Sequence, residues 1–121
     1  MKRTPLNRVS KKRRRDEPIR KQVREFVLDR DEGRCQAYLA DICSHFASDV
    51  HEIQTRGRGG DYLDVNNCVA LCRRCHSFIT DNPKWAATNG WVVSAWATAA
   101  DFVAAQRARE MRLWESEGDL I

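Results

Sequence analysis

The spacing of apolar side chains predicts a helix near the N-terminal end of the chain. Four apolar residues recur there at helical spacing: Ile19, Val23, Phe26 and Val27. Pro18 suits the first turn of a helix, where its missing N–H is no loss, and Gly33 suits the end of one. We therefore expect a first helix over residues 18–30.

The middle of the chain alternates between short apolar stretches and turn residues. Val50 to Ile53 and Cys68 to Leu71 are typical of short strands. Between them, the segment from Gly57 to Gly60 has three glycines in four positions, which predicts a turn that another backbone can approach closely. Residues 72–80 contain no helix breaker and predict two helical turns. The expected order is strand, turn, strand, helix.

The C-terminal part predicts one more strand and a long helix. Trp91 to Val93, after Gly90, is a candidate third strand. Thr98 with Asp101 resembles a capping box that opens a helix to about Glu117. Three tryptophans are spaced like core residues packed over the sheet: Trp85, Trp91 and Trp96. The expected fold class is α+β.

The cysteines predict a metal site. A chain of 121 residues has a small core that usually needs a staple. Its five cysteines are an odd number without a signal-peptide pattern, which argues against a disulfide framework. Cys72 and Cys75 have the spacing of two thiolate ligands for Zn²⁺, at about 2.3 Å each. Cys35 and Cys43 are the pair available to complete a tetrahedral site, which leaves Cys68 as a small buried hydrophobe.

Positive charge is concentrated at the N-terminus. Eight of the 21 Lys and Arg residues lie in residues 1–15, which contain no acid, whereas the other 13 are outnumbered by 17 Asp and Glu. The densest run is Lys11, Lys12, Arg13, Arg14 and Arg15. Like charges repel and there is little to bury, so we expect a disordered basic arm over residues 1–15. Phosphate contacts would give such an arm salt-sensitive affinity for DNA, and a solubilising tail is the alternative interpretation.

An ordered set of polar residues in the middle of the chain carries a family resemblance. The residues are His51-Glu52, Gly59-Gly60, Asn67 and Leu71-Cys72-Arg73-Arg74-Cys75-His76. Their order resembles the HNH nuclease family, in particular its small phage-type members, over residues 33–80. The resemblance implies a zinc-stapled ββα-metal core over residues 16–97, with residues 98–121 as a C-terminal helix. It also implies a metal-dependent DNA endonuclease or nickase in the cytoplasm of a bacterial host.

The same resemblance suggests roles for the site residues. His76 would bind the catalytic divalent ion, which is Mg²⁺, Mn²⁺ or a later transition metal, and Asn67 would fix the loop between the strands. The family commonly has His-His or Asp-His where this chain has His51-Glu52. Either His51 binds the ion and Glu52 is the general base, or His51 is the base. Neighbours on a regular strand point to opposite faces, so both reach one ion only if the strand ends or bulges there.

Partner and specificity predictions are coarser. Four arginines flank the expected site and are candidates for phosphate contacts: Arg56, Arg58, Arg73 and Arg74.

His45 has no matching motif position, and a surface role, a role supporting the zinc ligands and a role as a substitute ligand all stay open. No segment is long and apolar enough to span a membrane, so we expect a soluble protein in a reducing compartment. A non-catalytic zinc-ribbon DNA-binding module and a phage packaging adaptor remain the alternatives.

Overall fold

The computed structural model of the protein describes the backbone of residues 10–118 and the side chains of residues 10–111. In chain order its regular elements are α1 (Lys11–Arg30), β1 (Asp49–Glu52), β2 (Cys68–Leu71), α2 (Arg73–Asp81), α3 (Pro83–Thr88) and α4 (Ala99–Gly118). Short 3₁₀ turns at Arg56–Arg58 and Val65–Asn67 lie in the loop between the strands. The protein is a small α+β structure with a two-stranded sheet. No helix in the described range is both long and apolar enough to cross a membrane.

Helix α1 begins earlier than the sequence suggested. It starts at Lys11 and runs through Pro18, where a start at residue 18 was expected. Ser10 caps it, because its hydroxyl accepts a hydrogen bond from the backbone N–H of Arg13 at 3.1 Å. Asp16, in the next turn, is buried and accepts a hydrogen bond from the Tyr62 hydroxyl of the loop between the strands. The cap and this long-range contact favour the helix despite the charge repulsion.

The expected disordered arm is therefore corrected in part. The residues of the basic run, 11–15, are helical and exposed. The rest of the expected arm, residues 1–9, and the last three residues of the expected C-terminal helix, 119–121, lie outside the described residues.

The two strands form an antiparallel pair, as the strand-turn-strand pattern predicted. Asp49 is paired with Leu71, and His51 is paired with Val69. The third strand predicted at residues 91–93 is wrong for the described residues. The N–H of Val93 donates to Ile53 at 3.0 Å, but the N–H of Trp91 turns back to Ala86, so no ladder forms.

The sheet separates two hydrophobic clusters. On one face, Leu71, Ile79 and Trp91 pack with three buried cysteines, which are Cys35, Cys72 and Cys75. On the other face, Val23 and Val27 of α1 pack against Cys68 and Ala70 of β2. Cys68 is 4% exposed, which confirms that it is a buried hydrophobe rather than a member of the cysteine group. Alternate residues of β2 therefore face different clusters, as strand geometry requires.

The C-terminal helix has the predicted start. The Thr98 N–H donates to the Asp101 carboxylate at 2.8 Å, and the Asp101 N–H donates to the Thr98 hydroxyl at 3.3 Å, which confirms the capping box. Helix α3, which begins at Pro83, was not predicted. Trp85 is partly buried and Trp91 is buried, but Trp96 is 89% exposed, so its assignment to the core was wrong. Trp96 lies in the turn before α4, where its N–H is bonded to the Ser94 hydroxyl.

Candidate metal centre and histidine pair

Four cysteines meet in one place. The sulfur atoms of the group all lie within 4.8 Å of one another, and the members are Cys35, Cys43, Cys72 and Cys75. Among the residues with described side chains, no other group of three or more His, Cys, Asp or Glu residues is compact enough to share an ion. Four convergent thiols are the donor set of a structural zinc site, so the predicted ligand group is assembled.

The two cysteine pairs are brought together by different local structures. Cys72 is the N-cap of α2, and Cys75 lies in its first turn. The other pair lies on a loop whose ends are joined by an isolated bridge between Arg34 and Phe46. Within that loop, the Cys35 N–H donates to the His45 carbonyl at 2.9 Å. Because the loop is closed in this way, its two cysteines lie close together although seven residues separate them in the sequence.

Backbone N–H groups point at the sulfur atoms. Cys72 accepts from the N–H of Cys75 at 3.3 Å and of Ser44 at 3.5 Å, and Cys43 accepts from the N–H of His45 at 3.2 Å. Burial raises the pKa of the Cys72 thiol, but these donors outweigh it and lower the pKa to about 6. Cys72 therefore favours the thiolate that a metal requires, whereas burial raises the pKa of Cys43 and of Cys75 above the ordinary value. His45 contributes only its backbone, because its exposed ring lies against Tyr38 at a centroid distance of 5.1 Å.

Beside this group, two imidazoles from separate elements come close together. His51 of β1 and His76 of α2 have ring centroids 5.2 Å apart in an edge-to-face arrangement. The position of His76 follows from the cysteines, because Cys72 and Cys75 fix the first turn of α2 and His76 is the next residue. The two histidines that the sequence identified as site residues are thus in contact with each other.

The ring of His51 is held by the main chain. It is 6% exposed, and its Nε2 lies 2.6 Å from the carbonyl oxygen of Trp91. A carbonyl can only accept, so Nε2 carries the proton, and in the neutral ring Nδ1 has a free lone pair. Burial lowers the pKa of His51 to about 4, so the ring is neutral at pH 7.

The ring of His76 is held by a carboxylate that sequence reasoning missed. Its Nδ1 lies 2.8 Å from a carboxylate oxygen of Asp49, and Arg73 lies 3.4 Å from the same oxygen. Burial raises the pKa of Asp49, but the hydrogen bonds from His76 and Ser48 and the charge of Arg73 lower it further than burial raises it. The signal was present in the sequence, since residues two apart on a strand share a face. Asp49 and His51 are such a pair.

Glu52 does not join the histidines, which corrects the prediction that it belongs to the site. Asp49 and His51 are the buried positions of β1, whereas Val50 and Glu52 alternate with them and are half-buried. Glu52 lines a cleft against α1 together with Lys21 and Arg24. The strand is regular here, without the bulge that would bring both neighbours to one ion. Its pleat therefore directs Glu52 to the opposite face.

Asn67 ties the loop between the strands to the end of β1. Its side-chain oxygen accepts from the N–H of Gln54 at 2.8 Å, and its amide nitrogen donates to the carbonyls of Gln54 at 2.9 Å and Asp61 at 3.2 Å. The side chain is buried and lies in the loop between the strands. Its contacts are those of a residue that holds the loop.

The four candidate arginines differ in their surroundings. Arg58 donates to the carbonyl of Val93 at 3.1 Å, and Arg56 lies over the ring of Tyr62 at 4.4 Å. Arg73 and Arg74 are exposed in the first turn of α2, next to His76. The two arginines of α2 are therefore the better placed to contact a phosphate near the histidines.

The arrangement combines a cysteine group suited to a structural metal with two imidazoles whose free nitrogens can accept a metal or a proton. The cysteines come from the loop before β1 and from the start of α2, and the imidazoles come from β1 and α2. Comparison of the chain with protein-family models, with curated proteins and with solved structures gave no match.

Proposed function

We propose that the protein is a metal-dependent DNA endonuclease of the HNH type, stapled by Zn²⁺ bound to its four clustered cysteines. The observation that carries the proposal is the approach of His51 and His76, from separate elements, to a ring-centroid distance of 5.2 Å. The order of these residues in the sequence, which resembles that of small phage-type HNH nucleases, supports the same function.

The histidine pair fits a divalent ion. A histidine that binds a metal usually donates its other ring N–H to a carbonyl or a carboxylate. His51 donates to Trp91 and His76 donates to Asp49. The ligands would be Nδ1 of His51 and Nε2 of His76, and imidazoles favour a later transition metal over Mg²⁺ or Mn²⁺. When bound, such an ion supplies Lewis-acid stabilisation of the phosphate and a water of lowered pKa.

The chain's own residues prepare this site. The low pKa of His51 keeps its ring neutral at pH 7, so a proton does not occupy its free nitrogen. Asp49 fixes which nitrogen of His76 carries the proton, because the carboxylate can only accept. Arg73, whose side chain is 78% exposed, lies beside Asp49 and is available to a phosphate approaching α2.

Binding of the DNA backbone is assigned to basic residues at the start of α2 and in the first turns of α1. Arg73 and Arg74 lie at the start of α2, and residues 11–15 give the first turns of α1 a dense positive charge. Contacts to phosphates carry no base information, so we propose low sequence specificity. The proposal predicts that affinity for duplex DNA falls as salt rises, since neutralised phosphates release counterions.

A plasmid-nicking assay tests the activity. The zinc-loaded chain is incubated with supercoiled plasmid and Mg²⁺, Mn²⁺, Co²⁺ or Ni²⁺, with and without a chelator of the added ion. We expect nicking that needs the ion and is lost in His51→Ala and His76→Ala. His45→Asn is the matched control, because it removes the one histidine outside the pair and retains a residue that tolerates the positive φ of 74° at that position.

Two results would oppose the proposal. Normal nicking by both alanine variants, with zinc content and fold retained, would show that the pair is not the active site. Binding of DNA without nicking by the wild type under every ion would favour a non-catalytic zinc-ribbon module.

A further inference from the structure

Helix α4 lies unusually close to the segment that carries Trp91. Gly90 has φ +81°, and a Cβ placed on it would lie 2.0 Å from the carbonyl oxygen of Ala105 in α4. Such a distance is impossible for any residue with a side chain unless the backbone shifts. Glycine at this position therefore allows the helix backbone to pack directly against the chain just before Trp91.

Arg109 of α4 reaches over the same segment. Its guanidinium donates a short hydrogen bond to the carbonyl oxygen of Gly90 and lies 5.6 Å from the ring centroid of Trp91. Trp91 is 1% exposed, so the arginine covers a residue that is otherwise enclosed. One side chain thus contacts both the peptide carbonyl before Trp91 and the Trp91 ring.

The next carbonyl along the chain is the one that holds His51. The oxygen of Trp91 lies 2.6 Å from Nε2 of His51. The Gly90 and Trp91 carbonyls belong to consecutive residues, so a change in the path of this segment moves both. The hydrogen bond to His51 decides which ring nitrogen is protonated and which remains free.

We infer that Arg109 is a positioning residue for His51. It fixes the Gly90-Trp91 segment so that the Trp91 carbonyl holds Nε2 of His51 and leaves Nδ1 without the proton. The effect on catalysis rests on the proposed nuclease function, whereas the effect on the His51 ring does not. Helix α4 then supports the position of the His51 ring through Arg109.

The test compares variants of the full zinc-loaded chain. Arg109→Met keeps a long apolar side chain but removes every N–H donor, and Arg109→Lys restores a charged donor group. Arg107→Ala is the matched control, because Arg107 lies on the same helix with an exposed side chain. Circular dichroism and zinc content first establish that each variant is folded.

The first measurement is the ¹⁵N–¹H spectrum of the histidine rings at neutral pH. We expect one tautomer of His51, protonated at Nε2, in the wild type, Arg109→Lys and Arg107→Ala. In Arg109→Met we expect the signals of both tautomers or of the other one. A purely structural role of Arg109 would lower stability without changing this signature.

The second measurement is the rate of plasmid nicking at saturating and limiting DNA. For Arg109→Met we expect kcat to fall roughly 10- to 100-fold, as for a displaced catalytic group, with KM within about twofold. Arg109→Lys should recover most of the loss. Wild-type kcat together with an unchanged His51 tautomer in Arg109→Met would overturn the inference. If the wild type fails to nick with any ion, the nuclease proposal falls and the ring spectrum alone decides the inference.

Discussion

Replacing Asn67 by alanine should destabilise the protein strongly, although the residue lies in a loop. The side chain is 5% exposed and makes three hydrogen bonds to main-chain groups of Gln54 and Asp61. These bonds join the end of β1 to two separate parts of the loop. Alanine removes all three and leaves the N–H and carbonyl of Gln54 without the partner that both share.

The expected cost follows from the number of bonds. A net contribution of about 1 kcal/mol for each hydrogen bond gives a loss of about 3 kcal/mol in the free energy of unfolding. For a domain of this size, that loss corresponds to a fall of roughly 10 °C in melting temperature. It is a large share of the total stability of about 5 to 15 kcal/mol that small domains have.

Urea unfolding followed by far-UV circular dichroism, with zinc in excess, measures this loss. Asn66→Ala is the control, because the side chain of Asn66 is exposed and the substitution leaves the buried amide of Asn67 in place. The control should stay within about 0.5 kcal/mol of the wild type. A loss below about 1 kcal/mol for Asn67→Ala, or a loss equal to the control, would refute the assignment of Asn67 as the residue that holds the loop.

Three further predictions concern the metal group and the two faces of β1. Cys72→Ser should abolish zinc binding and unfold the chain, whereas Cys68→Ala should keep one zinc per chain, as measured by atomic absorption. Equal zinc content in the two variants would contradict the assignment of Cys72 as a ligand and of Cys68 as a buried hydrophobe. Burial lowers the pKa of His51 from 6.5 to about 4. The unfolded chain therefore binds a proton that the folded chain does not, and stability falls as pH drops below 6.5. From pH 7.5 to 5.5, wild type should lose about 1.3 kcal/mol more than His51→Gln in urea unfolding, and parallel curves would exclude this linkage. Glu52→Gln should nick plasmid at the wild-type rate, because Glu52 faces α1. A fall in the nicking rate as large as that of His76→Ala would show that Glu52 belongs to the active site.

Local sequence determined the pieces that bear the candidate site. Two cysteines within one helical turn after a short apolar stretch predict a strand that leads into a helix, and β2 and α2 follow that pattern. The four clustered cysteines were identified from the spacing of Cys72 and Cys75 and from the one remaining pair, which left Cys68 as a residue between apolar neighbours. The capping box at Thr98 and Asp101 was also readable, since both of its hydrogen bonds lie within four residues. These features need no distant partner.

Tertiary structure decided which side chains face the histidines. The roles of His51 and Glu52 are ambiguous in the sequence. A regular strand directs the two side chains to opposite faces, whereas a bulged strand brings both to one ion. The observed register buries Asp49 and His51 on the α2 face and turns Glu52 toward α1. The carboxylate beside His76 is therefore Asp49, which the motif did not assign to the site.

Contacts between residues far apart in the chain explain the other differences. The contact of Asp16 with Tyr62 adds to the local Ser10 cap in favouring the early start of α1, and the ring position of His51 depends on Trp91. The approach of Arg109 to Gly90 depends on how α4 packs. Such contacts follow from packing over the whole domain, whereas periodicity and spacing describe only neighbours along the chain. The sequence alone thus predicted the four clustered cysteines and most of the helices and strands, and the fold determined how their side chains are oriented.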